Sequence, residues 1–159
     1  MEFKTADLCD EFSAELQIAA PVFSSFGGRK RFAGPASTVK CFEDNSRVKE
    51  AVGEPGRGRI LVVDAGGSKR CAVLGDLLAK QAADNGWAGV VVHGCIRDSS
   101  DIATFDLGVL ALGVLPLRSE RKNEGQRDIP IQLAGASIRP GDWVYVDEDG
   151  MVVSTRALL

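Results

Sequence analysis

The sequence contains a single histidine, His93, and four cysteines, at positions 9, 41, 71 and 95, none of them in a CxxC pair. Structural zinc sites and thioredoxin-like centres depend on such close pairs, so neither is supported. No excess of basic residues is present: 19 Lys and Arg stand against 22 Asp and Glu, a formal net charge of −3. Gripping nucleic acid needs a basic face to neutralise phosphates, so direct nucleic-acid binding is not expected. The one short basic cluster, Arg29-Lys30-Arg31, reads as a solvated loop. No apolar run approaches the roughly 20 residues that span a bilayer. The opening Met-Glu-Phe-Lys-Thr also lacks the basic-then-apolar pattern of a secretory signal. The expectation is a cytoplasmic protein with reduced cysteines and no membrane partner.

What is present suits one globular domain over residues 1–159, long enough to bury a substantial core. Eighteen glycines favour many tight turns over a helical bundle. Thr5 followed by acidic residues predicts an N-capped first helix. The pair Gly27-Gly28 marks a turn or a close backbone approach, residues 34–42 read as a strand entered through Pro35, and 46–52 as a polar helix. At the centre, the apolar run Ile60-Leu-Val-Val-Asp64 predicts a buried strand. Leu77, Leu78, Ala79, Ala82 and Ala83 line one face of a helix over 76–85 that Gly86 ends, and Gly89 to His93 forms a second buried strand. Strand, helix and strand make a βαβ unit with parallel strands.

A short helix over 97–105 and a strand over 109–112 follow, and then the pattern changes. Residues 129–134, 143–147 and 151–153 are strand-like. They are separated by Arg139-Pro140-Gly141-Asp142 and by Asp149-Gly150, a hairpin signal. The fold class is therefore mixed α/β, a βαβ core with additional antiparallel strands.

Two places in the core carry candidate chemistry. Leu74-Gly75-Asp76-Leu77-Leu78 enters the helix through a glycine, and the first helical N–H groups, those of Leu77 and Leu78 among them, are free to hold a carboxylate. The plainer reading makes Asp76 an ordinary N-cap. Arg97-Asp98 follows the second strand, where ligands collect in open α/β sheets. Arg97 can grip a carboxylate through two parallel N–H bonds, and Asp98 offers the hard oxygen that magnesium or manganese prefers. The plainer reading pairs Arg97 with Asp101 and has Asp98 cap the next helix. The βαβ geometry brings both places to one edge of the sheet, so Asp76, Arg97 and Asp98 can surround one small ligand.

Other features are set aside. His93 reads as a hydrogen-bonded packing residue, and Trp87 and Trp143 as core or interface. Val62-Val-Asp-Ala-Gly-Gly67 resembles a nucleotide or S-adenosylmethionine loop only superficially: it lacks GxGxxG and runs into Ser68-Lys-Arg-Cys, a poor helix opening. Cys95 lies near the candidate site with nothing to activate it.

Asp76, twenty residues, then Arg97-Asp98 resembles the D-x20-R-D signature of the RraA-like / 4-hydroxy-4-methyl-2-oxoglutarate aldolase family. Phe26-Gly-Gly-Arg29, Val39 to Asn45, Arg57 to Asp64 and Pro140-Gly-Asp142 also look like its short RraA-type members, so the resemblance spans nearly the whole chain. It implies a β/β/α swivelling-domain fold and a ring-shaped homotrimer with sites between subunits. It also implies a divalent cation, Mg2+ or Mn2+, held largely through Asp98 and waters. Gly75, Asp76, Leu77, Leu78 and Arg97 would bind the pyruvyl part of a small 2-oxo diacid. Asp76 and Arg97 would act in catalysis, Asp76 orienting a water that shuttles the proton. Implied activities are retro-aldol cleavage of 4-hydroxy-4-methyl-2-oxoglutarate and decarboxylation of oxaloacetate, both through a pyruvate enolate that the metal and Arg97 stabilise.

Regulators of ribonuclease E in the same group can lack the aspartate after the arginine, whereas Asp98 is kept here. The chain ends at Leu159 without the extended segment through which longer aldolases supply an acid to a neighbouring subunit, which favours decarboxylation over aldol cleavage. The alternative expectation is a non-catalytic regulator that binds and inhibits ribonuclease E.

Overall fold

The computed structural model describes residues 2–159. Helix α1 (Thr5–Phe12) leads through a single 3-10 turn into β1 (Leu16–Ile18), the two-residue β2 (Ser24–Ser25) and the long β3 (Phe32–Lys40). Helix α2 (Ser46–Val52) and β4 (Ile60–Asp64) follow. Then come β5 (Ala72–Leu74), α3 (Asp76–Asp84), β6 (Gly89–Ile96), the one-turn α4 (Ser99–Ile102) and β7 (Gly108–Val114). The last third is β8 (Gln126–Arg127), β9 (Ile131–Leu133), β10 (Ala136–Ile138), β11 (Trp143–Asp147) and β12 (Gly150–Ser154).

The fold is mixed α/β. A ten-stranded sheet runs in the order β1-β12-β11-β3-β4-β6-β7-β2, with β5 beside β6 and β8 beside β3. Its centre, β3-β4-β6-β7, is parallel, and β11, β12 and β1 join antiparallel on one side. The hairpin expected at Asp149-Gly150 is there, closing β11 onto β12 in register Asp147↔Gly150.

Why the central strands carry no polar alternation follows from what covers them. Leu61 and Val63 of β4, with Val90 and Val92 of β6, face α2 and α3 through Val48, Val52, Leu78 and Ala82. The intervening Ile60, Val62 and Val91 face the opposite way, onto Ile131, Leu133, Ala136 and Ile138 of the separate β9–β10 hairpin. Helices on one face and a small hairpin on the other bury both sides of the sheet.

Several expectations are corrected. The strand placed at 34–42 begins at Phe32 and ends at Lys40, the one ending at His93 runs on to Ile96, and the helix over 97–105 shrinks to Ser99–Ile102. Thr5 is not an N-cap. It is the first helical residue, and its N–H and hydroxyl donate to the carboxylate of Asp147 on β11 at 2.7 and 2.6 Å. Asp147 thus caps α1 from across the fold and also accepts the N–H of Asp149 inside the hairpin turn.

Burial pushes the Asp147 carboxyl up, but the Thr5 and Asp149 donors outweigh it and hold the group below the usual carboxylate range. Because folding lowers this pKa, the contribution of Asp147 is complete above the unfolded value of about 3.9 and fades as pH falls through the lower folded value. Asp147→Ala leaves the Thr5 hydroxyl unpaired in a buried place, and it should destabilise the fold by about 2–4 kcal/mol in urea titrations at pH 7. The deficit relative to wild type should narrow on acidification below about pH 4. An unchanged midpoint at pH 7 would refute this reading.

The remaining expectations concern loops. A methyl group at Gly27 would collide with the Leu107 carbonyl, so the glycine there permits the close approach of two backbones. The basic cluster is a loop: Arg29 pairs with Asp106 and Arg31 with Glu148. Among the described residues, no helix is long and apolar enough to cross a membrane.

Candidate active site

The parallel strands β4 and β6 end at one edge of the sheet, and the short β5, paired parallel with β6 (Leu74↔Ile96), delivers the chain to the start of α3 at that same edge. Asp76 is the first helical residue and Gly75 the N-cap. Arg97 follows directly on β6, its N–H bonded to the Leu74 carbonyl at 2.9 Å. The segment 75–78 and Arg97 are therefore brought together, and both line a cavity of about 800 Å³.

Asp98 contacts both of the other candidate polar residues. Asp98 Oδ2 accepts the Asp76 N–H at 3.0 Å and lies 3.9 Å from Arg97 Nε. Asp98 itself adopts a left-handed backbone conformation, φ 57° and ψ 41°. That turn swings its carboxylate back toward α3, away from the helix it precedes. The plainer readings therefore fail in detail. Asp98 makes no side-chain cap on α4, and no Arg97–Asp101 ion pair forms among the described residues. Gly75 is needed for space, not for backbone freedom: a methyl group there would sit 2.9 Å from Asp98 Oδ2 and 3.3 Å from Arg97 Nε.

Electrostatics keep Asp98 ionised. The Asp76 N–H holds its carboxyl below the usual range against partial burial, and the Asp76 side chain and then Arg97 add to the effect. Only Oδ2 accepts a hydrogen bond among the described residues, which leaves Oδ1 for another partner. Asp98 sits just behind the cavity lining, while Asp76 and Arg97 form part of it. The Leu77 N–H is engaged by Asp76 Oδ1 at 2.9 Å, so an incoming carboxylate at that N–H would displace Asp76. Leu77 projects into solvent, 80% exposed.

The far wall of the cavity was not legible as part of the site. It consists of Asn45 with Arg118, Ser119, Glu120 and Arg121. The buried carboxylate of Asp44 fixes this loop. It accepts the N–H groups of Lys122 (2.7 Å) and Glu124 (3.2 Å) as well as the Ser46 N–H and hydroxyl. Burial raises the Asp44 pKa, but these four donors bring it down to about 2. Neither Asn45 nor Arg121 stands in a recognisable spacing with Asp76, so no local signal marks them.

The features set aside behave as follows. His93 packs edge-on against Phe23, with ring centroids 6.1 Å apart, but its buried Nδ1 has no hydrogen-bond partner, contrary to expectation. Trp87 is core and donates to the Glu54 carbonyl, and Trp143 stacks on Tyr145. Burial pushes the Cys95 thiol up, away from nucleophilic behaviour. The glycine loop after β4 leads to β5 rather than into a helix, so it builds no phosphate-type cradle.

A family model described as RraA-like, Aldolase/RraA, matches residues 5–153. The chain belongs to the RraA-like family. A relative from Alkalilimnicola ehrlichii is 58% identical over the whole chain and 99% of its own length, and one from Laribacter hongkongensis is 57% identical over all of both. Both carry the provisional name 4-hydroxy-4-methyl-2-oxoglutarate aldolase. Among solved structures, the RNA-processing inhibitor RraA from Thermus thermophilis matches this RraA-like chain with a TM-score of 0.96 at 42% identity, covering 100% of this chain and 96% of its own. A Geobacillus kaustophilus protein titled S-adenosylmethionine: 2-dimethylmenaquinone methyltransferase matches with a TM-score of 0.96 at 47% identity, covering 98% and 97%. The family thus includes proteins named as enzymes and proteins named as regulators of RNA processing.

Proposed function

We propose that this protein is a divalent-metal-dependent lyase that releases pyruvate from short 2-oxo diacids, by cleaving 4-hydroxy-4-methyl-2-oxoglutarate, decarboxylating oxaloacetate, or both. The observation that carries the reading is the contact that Asp98, just behind the lining, makes with the Asp76 N–H and with Arg97, two residues that line a cavity entered by a helix N-terminus.

The donors present fit magnesium or manganese. Among the described residues, no three His, Cys, Asp or Glu side chains cluster into a full metal cage. Mg2+ commonly binds through one or two carboxylates, keeping waters and ligand oxygens for its other positions. Asp98, ionised and with Oδ1 free, supplies such a carboxylate. A cation bound there supplies Lewis-acid polarisation of the substrate's 2-oxo group.

The chain's own groups account for the rest. Arg97 and the N–H groups of Leu77 and Leu78 bind the carboxylate next to the 2-oxo group, at the positive end of the α3 dipole. Held there, the substrate presents its C3–C4 bond to the cavity. When that bond breaks in oxaloacetate, carbon dioxide leaves and the electron pair remains on C3 as a pyruvate enolate. The charge of Arg97 favours that state over the ground state. Asp76, once displaced from the Leu77 N–H, orients a water that delivers the proton to C3. In the aldol reaction the same enolate forms as the 4-hydroxyl loses its proton and the departing half becomes a second pyruvate.

Asp76, Arg97 and the 75–78 backbone act in one subunit. The exposed Leu77, Val114 and Leu117 (80, 46 and 61% accessible) suit a covered rim in a homotrimer. A cytoplasmic setting keeps the four free cysteines reduced. The methyltransferase name of one structural relative has no support in the β4 loop of this chain. A second reading, binding to ribonuclease E or a related RNA-processing partner, rests on the likeness to the RNA-processing inhibitor.

Incubation with 4-hydroxy-4-methyl-2-oxoglutarate and magnesium, with pyruvate followed by a coupled dehydrogenase, tests the aldol branch. Two pyruvates per substrate are expected. Turnover of oxaloacetate alone would restrict the protein to decarboxylation.

A further inference from the structure

The cavity carries more positive charge than one carboxylate requires. Lys49, Arg97, Arg118 and Arg121 line it against the carboxylates of Asp76 and Glu120, in a chain whose overall charge is negative. Among these cations Arg121 is distinguished by how it is held. Its Nε donates to Asn45 Oδ1 at 3.0 Å, and Asn45 Nδ2 donates to the Val73 carbonyl at 3.2 Å. Asn45 is buried, at 8% accessible, so this bridge is a fixed bracket.

Val73 lies in β5, next to Leu74, whose carbonyl receives the N–H of Arg97. The same strand is tied to the far wall by Ala72 N–H to Leu117 O (2.7 Å) and Ser119 N–H to Ala72 O (3.1 Å). Both arginines are thus referenced to consecutive residues of a three-residue strand, one on each side of the cavity. No carboxylate among the described residues pairs with the terminal nitrogens of Arg121, and the hydroxyl of Ser119, in the same cavity lining, is buried without a partner. An oriented guanidinium fork with no protein anion, together with an unpartnered buried hydroxyl, is the donor set a carboxylate takes.

We propose that Arg121, positioned by Asn45, is the specificity-determining residue that takes the far carboxylate of a 2-oxo diacid that keeps this group through C3–C4 cleavage, as 4-hydroxy-4-methyl-2-oxoglutarate does, with Ser119 as an auxiliary donor. This rests on the reading of Arg97 and residues 75–78 as the site of the near, 2-oxo carboxylate. The separation of the two cationic walls then selects diacids over monoacids. The Asp44-fixed loop matters to function because it sets that separation.

The test compares binding of a 2-oxo diacid that does not decarboxylate readily, 2-oxoglutarate, with that of the monoacid pyruvate. Both are titrated calorimetrically into wild type and Arg121→Met in the presence of Mn2+. Arg121 is exposed, so the variant is expected to fold, and its thermal midpoint is checked alongside. Wild type should bind 2-oxoglutarate more tightly than pyruvate. Arg121→Met should weaken the diacid about tenfold to a hundredfold, the size of a lost charged hydrogen-bond pair. Pyruvate affinity should move about twofold or less, and Arg121→Lys should recover part of the loss by restoring charge without the fork.

Equal weakening of both ligands, no weakening of either, or a wild type with no diacid preference would overturn the proposal. Binding is read without turnover, so a protein that prefers diacids through Arg121 yet cleaves none would uphold the subsite and sink the lyase reading. Turnover without diacid preference would do the reverse.

Discussion

Arg97→Ala is expected to lower kcat/KM for oxaloacetate by about a hundredfold to a thousandfold, the range seen when one donor to a developing oxyanion is removed. The loss should fall on kcat as well as on KM, because Arg97 both grips the near carboxylate and stands beside the forming enolate. Stability should barely change. The side chain is 39% exposed, and its one ion pair, to Asp98, is long at 3.9 Å, the kind of contact that contributes little to folding. Arg97→Lys keeps the charge and loses the two-pronged geometry, so it should lie between the two. A variant that keeps near wild-type kcat with only a raised KM would reduce Arg97 to a binding residue.

Removing Asp98 should have the larger effect: metal-dependent turnover should fall to the background of free metal ion. The substitution has to be chosen with the backbone in mind. Asp98 sits at φ 57°, a region where alanine is strained by about 1–2 kcal/mol and asparagine is tolerated. Asp98→Asn keeps an oxygen for the Asp76 N–H, so the start of α3 stays in place and only the anionic ligand is lost. Both Asp98→Ala and Asp98→Asn should be inactive, and only the alanine variant should unfold measurably earlier in denaturant. Full activity in the asparagine variant would show that the carboxylate charge is not needed. On the alternative reading as a regulator of RNA processing, neither variant changes partner binding.

The sequence made some parts of this account legible and hid others. The runs at 60–64 and 89–93 gave a parallel pair buried on both faces. Once a helix was placed between them, Asp76 and Arg97 had to meet at one edge. That inference needs only local periodicity and the handed βαβ connection. β5 escaped notice because Ala72–Leu74 is too short to show a period, although it is the strand that both arginines refer to. The pattern at 129–134 suggests a single strand where the β9–β10 hairpin stands, since nothing in residues 131–138 announces the turn except Gly135.

Contacts that depend on long-range pairing were the least visible. Asp147 caps α1 from 142 residues away, where the local pattern pointed to Thr5. Arg121 reaches Asn45 across 76 residues, and through it β5, from a loop that Asp44 holds by the N–H groups of Lys122 and Glu124. The direction of the Asp98 carboxylate turns on one left-handed residue, which neighbouring sequence does not specify. The positions of the candidate residues could therefore be anticipated, while the way they are held could not.

The most direct test of the central claim is pyruvate release from oxaloacetate by the purified protein, measured with magnesium or manganese and with chelator, each against the same metal without protein. The account predicts release well above the metal-only background, abolished by chelator and absent in Asp98→Asn. Release no faster than the metal-only background, or release that persists in chelator and in Asp98→Asn, would contradict it.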